Sequence, residues 1–127
     1  MAYFAEFVGS LIFLLGGYAY MCNVSLKKTL VSSLNYIELV VAWSLAVGFG
    51  LAIAVIMGGP AYLNPGVVLG NLIYNGLGIT DALMYLLMEF LAAGAAMLIC
   101  THVRINFRLH HTDTKFLLQM LNGSARF

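Results

Sequence analysis

Three long apolar runs separated by polar segments make up most of the chain. They cover about residues 3–22, 36–57 and 81–103. Each is close to the roughly 20 residues that a helix needs to cross the hydrocarbon core of a bilayer. Residues 23–35, between the first two runs, carry two lysines, three serines and a threonine, as expected for an aqueous loop. The pattern predicts three transmembrane helices.

A helix-breaking stretch interrupts the pattern after the second run. Residues 58–68 contain both prolines of the chain and no charged residue. Non-helical backbone persists at membrane depth only where it is buried in protein or lines a wet cavity. Asn64 followed by Pro65 favours a new helix, because Asn caps free amides and Pro suits the first helical position.

The helix predicted at about residues 64–76 is too short to cross the membrane. A dozen residues at about 1.5 Å each reach roughly half of the hydrocarbon core. A helix lying on the membrane surface would need a strongly polar face, and this segment has no charged residue. The sequence therefore favours a re-entrant half-helix.

These elements define an all-α membrane protein with three transmembrane helices and one re-entrant half-helix. We expect them to form one unit over residues 1–104, followed by a polar C-terminal tail over residues 105–127 that is too short for a further crossing. The N-terminus has no basic residues before a long apolar run, so we expect the first helix to be retained rather than cleaved as a signal peptide.

Composition supports a membrane protein and excludes several other classes. The 127 residues are 62% hydrophobic and 9% charged, whereas soluble domains are about 25% charged. The lipid bilayer is therefore an expected partner. A net charge of +1, with basic residues interrupted by apolar ones, argues against nucleic acid. Two cysteines define no disulfide framework.

Two glutamates lie inside the apolar runs, where an ionisable group costs several kcal/mol unless it is partnered. Glu6 either reaches water near the helix start or accepts hydrogen bonds from free amides of the broken segment. Glu89 either pairs with Tyr85 or a neighbouring backbone group, or belongs to a proton relay. We expect structural support from both residues, with the proton relay as the alternative for Glu89.

The histidines suggest haem or metal binding only weakly. Haem in a membrane bundle needs imidazoles well inside facing helices, whereas His102, His110 and His111 lie at or beyond the end of the third run. We expect no cofactor and no metal. Trp43 is in the first third of the second run, where a tryptophan anchor at the membrane interface would be ordinary.

Four segments in order resemble the first half of the aquaporin and glycerol-facilitator, or major intrinsic protein, family. They are Ala5–Ser10, Asn23–Thr29, Leu63–Val67 and Tyr85–Ala95. The resemblance implies a bundle of six helices and two re-entrant half-helices, related as an inverted repeat. This chain resembles one such repeat.

The resemblance also implies residue roles. Asn64 would donate hydrogen bonds to the passing solute, Pro65 would fix the turn, and Glu6 resembles the glutamate that braces the loop. Gly66 stands where the family usually has Ala, and Tyr62 where many members have His.

Two further positions carry implications about the solute and the third helix. Trp43 resembles the constriction tryptophan of glycerol-conducting members, one residue farther from Asn64 than usual. Glu89 stands where glutamine is usual. Val67 occupies the position that supplies the constriction arginine in the second repeat, so a pore of identical chains would lack that arginine.

The resemblance implies a plasma-membrane channel subunit, not an enzyme, for water or small neutral polyols such as glycerol. The pore would be rebuilt by antiparallel pairing with itself or with another half. The alternatives are a non-conducting truncated or interaction subunit that associates with full-length channels, and a small membrane anchor for a redox enzyme.

The orientation implied by charge differs from the one implied by the family. All six basic residues fall in the loop at 23–35 and the region after residue 103, and the alternation of spans places both on one side. By the positive-inside rule that side is cytoplasmic, whereas the family resemblance implies the reverse. A protein inserted in both orientations would show little such bias.

Overall fold

The computed structural model describes residues 1–25 and 35–124, and four helices account for most of them. They are α1 (Ala2–Ser25), α2 (Tyr36–Ile56), α3 (Pro65–Tyr74) and α4 (Ile79–Ser124). Apolar stretches long enough to span a membrane occur in three of them, at Ala2–Cys22, Tyr36–Ile56 and Ile79–Asn106. The predicted fold class is confirmed. Most of the predicted aqueous loop, residues 26–34, lies outside the described residues.

The end of the third long helix differs from the prediction. We expected it to stop near residue 103, but α4 continues as one helix to Ser124. The physical reason is that residues 95–122 contain neither glycine nor proline, so a change to polar composition does not break the backbone hydrogen bonding. The apolar stretch of α4 that is long enough to span a membrane covers Ile79–Asn106. The division into a repeat and a tail stays a prediction.

Helix α1 lies at the centre of the assembly. It packs against α2 on one side and α4 on another, and α3 packs against α4. In the part of the chain that the structure describes, α2 makes no such packing contact with α3 or α4. The bundle is therefore open on the side where α2 and α4 diverge.

Small residues allow α1 and α2 to cross closely. A Cβ added at Gly9 would lie 2.8 Å from the carbonyl oxygen of Gly50, and one added at Gly50 would lie 2.7 Å from the carbonyl oxygen of Gly9. On α4, which also packs against α1, Ala92 and Ala96 are completely buried. Such residues let membrane helices approach closely.

A polar contact joins the beginnings of α1 and α4. The Tyr3 hydroxyl donates a 2.6 Å hydrogen bond to Asp81 Oδ1, and the Tyr3 ring lies 5.0 Å from that of Tyr85 between centroids. Val68 of α3 and Ala82 of α4 are buried beside Tyr85. The cluster fixes the half-helix against the start of α4.

Candidate functional site

The segment between α2 and α3 holds an unusual backbone. Gly58 has φ +80°, and Ala61 and Leu63 have φ 54° and 48° although neither is glycine. Left-handed conformations of this kind cost roughly 1–3 kcal/mol each and persist where the surroundings enforce them. Gly59 lies against α1 so closely that an added Cβ would be 2.7 Å from Ala5 Cβ. The turn is held by tight packing on α1.

The carboxylate of Glu6 binds the end of this turn. It is completely buried, and its Oε2 accepts a 3.2 Å hydrogen bond from the Tyr62 N–H while its Oε1 accepts one from the Leu63 N–H. Both amides precede the first turn of α3 and have no helical partner. A single acceptor group from α1 thus satisfies two adjacent donors of the break.

A second buried carboxyl lies next to the first. Glu89 of α4 is 5% exposed, and the Glu6 carboxyl and the Asn64 backbone N–H are its polar neighbours. Within the described residues, neither Glu89 oxygen makes a hydrogen bond of normal geometry. A buried polar group without a hydrogen bond is unfavourable, so Glu89 lacks the contacts that stabilise Glu6. The structure places Glu89 beside the break, and its supporting role stays a prediction.

Asn64 caps the half-helix and remains exposed. Its Oδ1 accepts a 2.8 Å hydrogen bond from the Gly66 N–H, and Pro65 occupies the first helical position. Because the oxygen is used by the cap, the Nδ2 group is left as the outward-facing donor. Among the described residues, this group has no hydrogen-bond acceptor. A passing solute or a partner could therefore accept from it.

Helix α3 carries two more amides on the same face as Asn64. Asn71 and Asn75 lie seven and eleven residues farther along, spacings that return to one face of a 3.6-residue helix. Asn71 Nδ2 donates to the Val67 carbonyl at 2.9 Å, and Asn75 Nδ2 donates to Asn71 Oδ1 at 2.8 Å. The half-helix therefore has a polar stripe facing outward.

The remaining predicted site residues lie around this centre. Tyr62 packs edge-on against Tyr85, with 5.2 Å between ring centroids. Gly66 is exposed, and a Cβ there would lie 3.2 Å from Asn64 Oδ1. A methyl at that position would therefore press directly on the cap.

Trp43 lies apart from the others, between α1 and α2. Its ring contacts Phe13 and Tyr18 at centroid distances of 5.7 and 6.1 Å. A Cβ at Gly17 would lie 2.5 Å from it. The half-buried indole thus packs on α1, and its role in a pore stays a prediction.

The site offers neutral hydrogen-bonding groups at the amino end of a helix. An α-helix places the equivalent of roughly half a positive charge there, and the exposed Asn64 amide adds hydrogen-bond donors. Within the described residues no cluster of three His, Cys, Asp or Glu side chains forms a metal site. The arrangement suits an uncharged hydroxyl-bearing molecule and opposes cations.

A family model described as major intrinsic protein matches residues 1–127, the whole chain. The chain belongs to the major intrinsic protein family. This family consists of membrane channels rather than enzymes, which agrees with the expected class and with a multi-pass protein of the plasma membrane.

The similar relatives are all described as glycerol uptake facilitators. The protein of Streptococcus pneumoniae serotype 4 (strain ATCC BAA-334 / TIGR4) is 35% identical over 111 residues, which is 85% of this chain and 44% of the relative. Glycerol uptake facilitator protein 2 of Lactiplantibacillus plantarum is 31% identical over 99 residues, or 76% of this chain and 42% of the relative. No solved structure matches the chain significantly. This major intrinsic protein chain thus spans less than half the length of these relatives.

Several residues at the site were missed in the sequence analysis. The amide stripe of Asn71 and Asn75 could have been found from their helical spacing to Asn64. The Tyr3–Asp81 pair could have been found from the alternation of spans, which puts the starts of the first and third helices on one side of the membrane. The left-handed backbone at Ala61 and Leu63 has no such signal, because neither residue type favours it.

Proposed function

We propose that this major intrinsic protein chain is a channel subunit whose pore forms when a second half-length unit packs against its open side in the inverted orientation. The observation that supports this proposal is the exposed Asn64 amide at the amino end of a half-helix. The turn before this half-helix donates two backbone hydrogen bonds to Glu6. In the inverted pair, two such amides would face each other at the middle of the membrane.

The exposed polar stripe on α3 supports this pairing. Asn64 and Asn75 are exposed on the isolated chain, and polar groups facing lipid cost free energy because hydrocarbon offers no hydrogen bonds. Covering this face with an inverted copy would turn it from lipid toward a water-filled path. Helix α3, with ten residues, reaches about 15 Å, so two of them end to end would span the hydrocarbon core of about 30 Å.

We infer that the solute is a small neutral polyol such as glycerol, with water as a second permeant. The donor groups and the helix dipole favour hydroxyl oxygens while opposing cations and protons. The similar relatives are described as glycerol uptake facilitators. The Trp43 ring, which packs on α1, would have to turn toward the pore to offer a polyol an apolar surface.

Flux through Asn64 variants tests the function. Asn64→Asp keeps the oxygen that caps Gly66, so the half-helix should fold, but it removes the Nδ2 donors and adds a charge. We expect glycerol flux into proteoliposomes, followed by stopped-flow light scattering, to fall about tenfold, as for the loss of one hydrogen bond worth about 1.4 kcal/mol. Asn106→Asp changes an exposed amide on α4 outside the polar stripe of α3, and this control should have little effect. Equal flux for wild type and Asn64→Asp would mean that Asn64 is not at a pore.

The orientation of the chains is tested separately. A single cysteine replaces Ala2 in a Cys22→Ser/Cys100→Ser background, and membrane-impermeant maleimide is applied from each side. Pairing between identical inverted chains predicts labelling from both sides in similar amounts. Labelling from one side only excludes self-pairing, and flux in that case would require a different inverted partner.

A non-conducting subunit that associates with full-length channels is the second candidate. The position of all six basic residues in the loop at 23–35 and the region after residue 103 favours it, since one-sided charge favours a single orientation. Co-purification with a full-length glycerol facilitator, together with no flux from the purified chain alone, would support this candidate over the paired pore.

A further inference from the structure

The two cysteines come together near the end of α1 and near the end of the apolar span of α4. Cys22 follows Tyr3 by nineteen residues, and Cys100 follows Asp81 by the same number. The Tyr3–Asp81 hydrogen bond sets the starts of the two helices side by side. Since both helices rise about 1.5 Å per residue, the two thiols reach the same level, and both line one cavity.

Two thioethers and one guanidinium lie beside the thiols, together with Tyr18 and Thr101. A cavity of about 160 Å³ is lined by Cys22, Cys100, Met21, Met97 and Arg104, among others. Both cysteines are free and half-buried. The Nε atom of Arg104 is buried, and within the described residues it has no hydrogen-bond partner. A positively charged group with an unused donor therefore borders a space lined by sulfur.

We propose that this cavity is a binding site for a soft monovalent metal ion such as Cu(I), held by the thiolates of Cys22 and Cys100 and the thioether of Met97. Sulfur ligands of this kind select soft ions. On binding, each thiol releases its proton to water and forms a metal–sulfur bond, and no electron is transferred. The complex of one monovalent ion with two thiolates carries one negative charge, which the Arg104 guanidinium neutralises.

The ligand set favours Cu(I) over zinc. Structural zinc takes four ligands from Cys, His and carboxylate side chains, whereas the described residues contain no cluster of three such groups. Thioethers are ligands for soft ions and add little for zinc. None of the residues that line the cavity belongs to the broken segment or to α3, so occupancy of the site does not depend on the proposed pore.

Titration of the purified full chain in detergent tests the site. The reduced protein is titrated anaerobically with Cu(I) in the presence of a competing Cu(I) chelator. We expect one equivalent to bind with an ultraviolet thiolate-to-copper band and the release of two protons. The Cys22→Ser/Cys100→Ser variant should lose both the band and the site. No other thiol can contribute, since the chain has two cysteines.

Two further variants test whether Arg104 and Met97 contribute to Cu(I) binding. Arg104→Gln should weaken Cu(I) binding about tenfold, as expected for an outer partner of the ligands, and Met97→Leu should also weaken it. Met84 lies about four turns before Met97 on α4. Met84→Leu is therefore the matched control, and this variant should bind Cu(I) as tightly as the wild type does. If the double serine variant fails to fold, alkylation of the wild-type thiols with N-ethylmaleimide replaces it and should equally abolish binding.

Three results would overturn the proposal. Undiminished Cu(I) binding by the double serine variant or the alkylated protein would assign the metal to other groups, such as the histidines at 110 and 111. Zinc binding as tight as that of Cu(I) would contradict the ligand set. A Cys22–Cys100 disulfide found after thiols are blocked in intact membranes would identify the pair as a structural cross-link.

Discussion

At the scale of single residues, two buried carboxyls that lie side by side have different surroundings. Glu6 accepts hydrogen bonds from two backbone amides of the break, whereas neither oxygen of Glu89 makes one of normal geometry among the described residues. A buried polar group stabilises a fold when its hydrogen bonds are made and destabilises it otherwise. The two glutamates should therefore respond differently to the same substitution.

Glu6→Gln should lower the unfolding free energy in detergent micelles by about 2 kcal/mol, because the glutamine amide turns a donor toward one of the two backbone N–H groups. Limited proteolysis should cut faster within residues 58–64. Glu89→Gln is the matched variant. It removes a carboxyl next to Glu6 without breaking a hydrogen bond, so stability should stay the same or rise. An equal loss for both variants would contradict the difference in their surroundings.

At the scale of elements, the crossing of α1 and α2 depends on glycines whose nearest neighbours include backbone carbonyl oxygens. Gly9→Ala should destabilise the chain by about 1–3 kcal/mol, since its Cβ would lie 2.8 Å from the Gly50 carbonyl oxygen and from Ala54 Cβ, and neither can rotate away. The measurement is denaturant unfolding in micelles, followed by circular dichroism.

Gly48→Ala provides the control on the partner helix. A Cβ there meets nothing within 4 Å, so helix propensity alone should act, leaving stability unchanged or raised by up to about 1 kcal/mol. Similar destabilisation by both substitutions would indicate a general intolerance of α1 and α2 to added volume rather than a close crossing at Gly9.

The elements were predictable from the sequence where local chemistry determines them. Asn64 and Pro65 predict the start of α3, because a helix cap involves only a few neighbouring residues. The apolar runs predict the transmembrane spans, because the length of a run can be read directly from the sequence. The end of α4 was not predictable, since polar composition alone does not stop a helix. The left-handed Ala61 and Leu63 and the meeting of Glu6 with Glu89 arise from contacts between distant segments. Neither leaves a pattern in the local sequence.

At the scale of the whole molecule, three spans place the two ends of this repeat on opposite sides of the membrane. A second copy joined directly to the end of the first must then begin on the opposite side and insert upside down. The chain therefore carries in its own topology the inverted arrangement that the proposed pore requires. In a fusion of two copies, the two inverted halves of the proposed pore belong to one polypeptide, so they need not find each other as separate chains.

A tandem fusion of two copies through a short flexible polar linker should conduct glycerol in proteoliposomes at least as well per pair as the separate chains, since the linker raises the effective concentration of the inverted partner. Inserting one additional transmembrane helix into the linker forces both copies into the same orientation, and flux should then be lost although the polypeptide contains the same two halves. Asn64→Asp in either copy should reduce flux in the direct fusion, because each copy contributes one of the two facing amides. If the fusion with the extra span conducts as well as the direct one, the pore does not depend on antiparallel pairing, and a single chain or a parallel assembly must provide it.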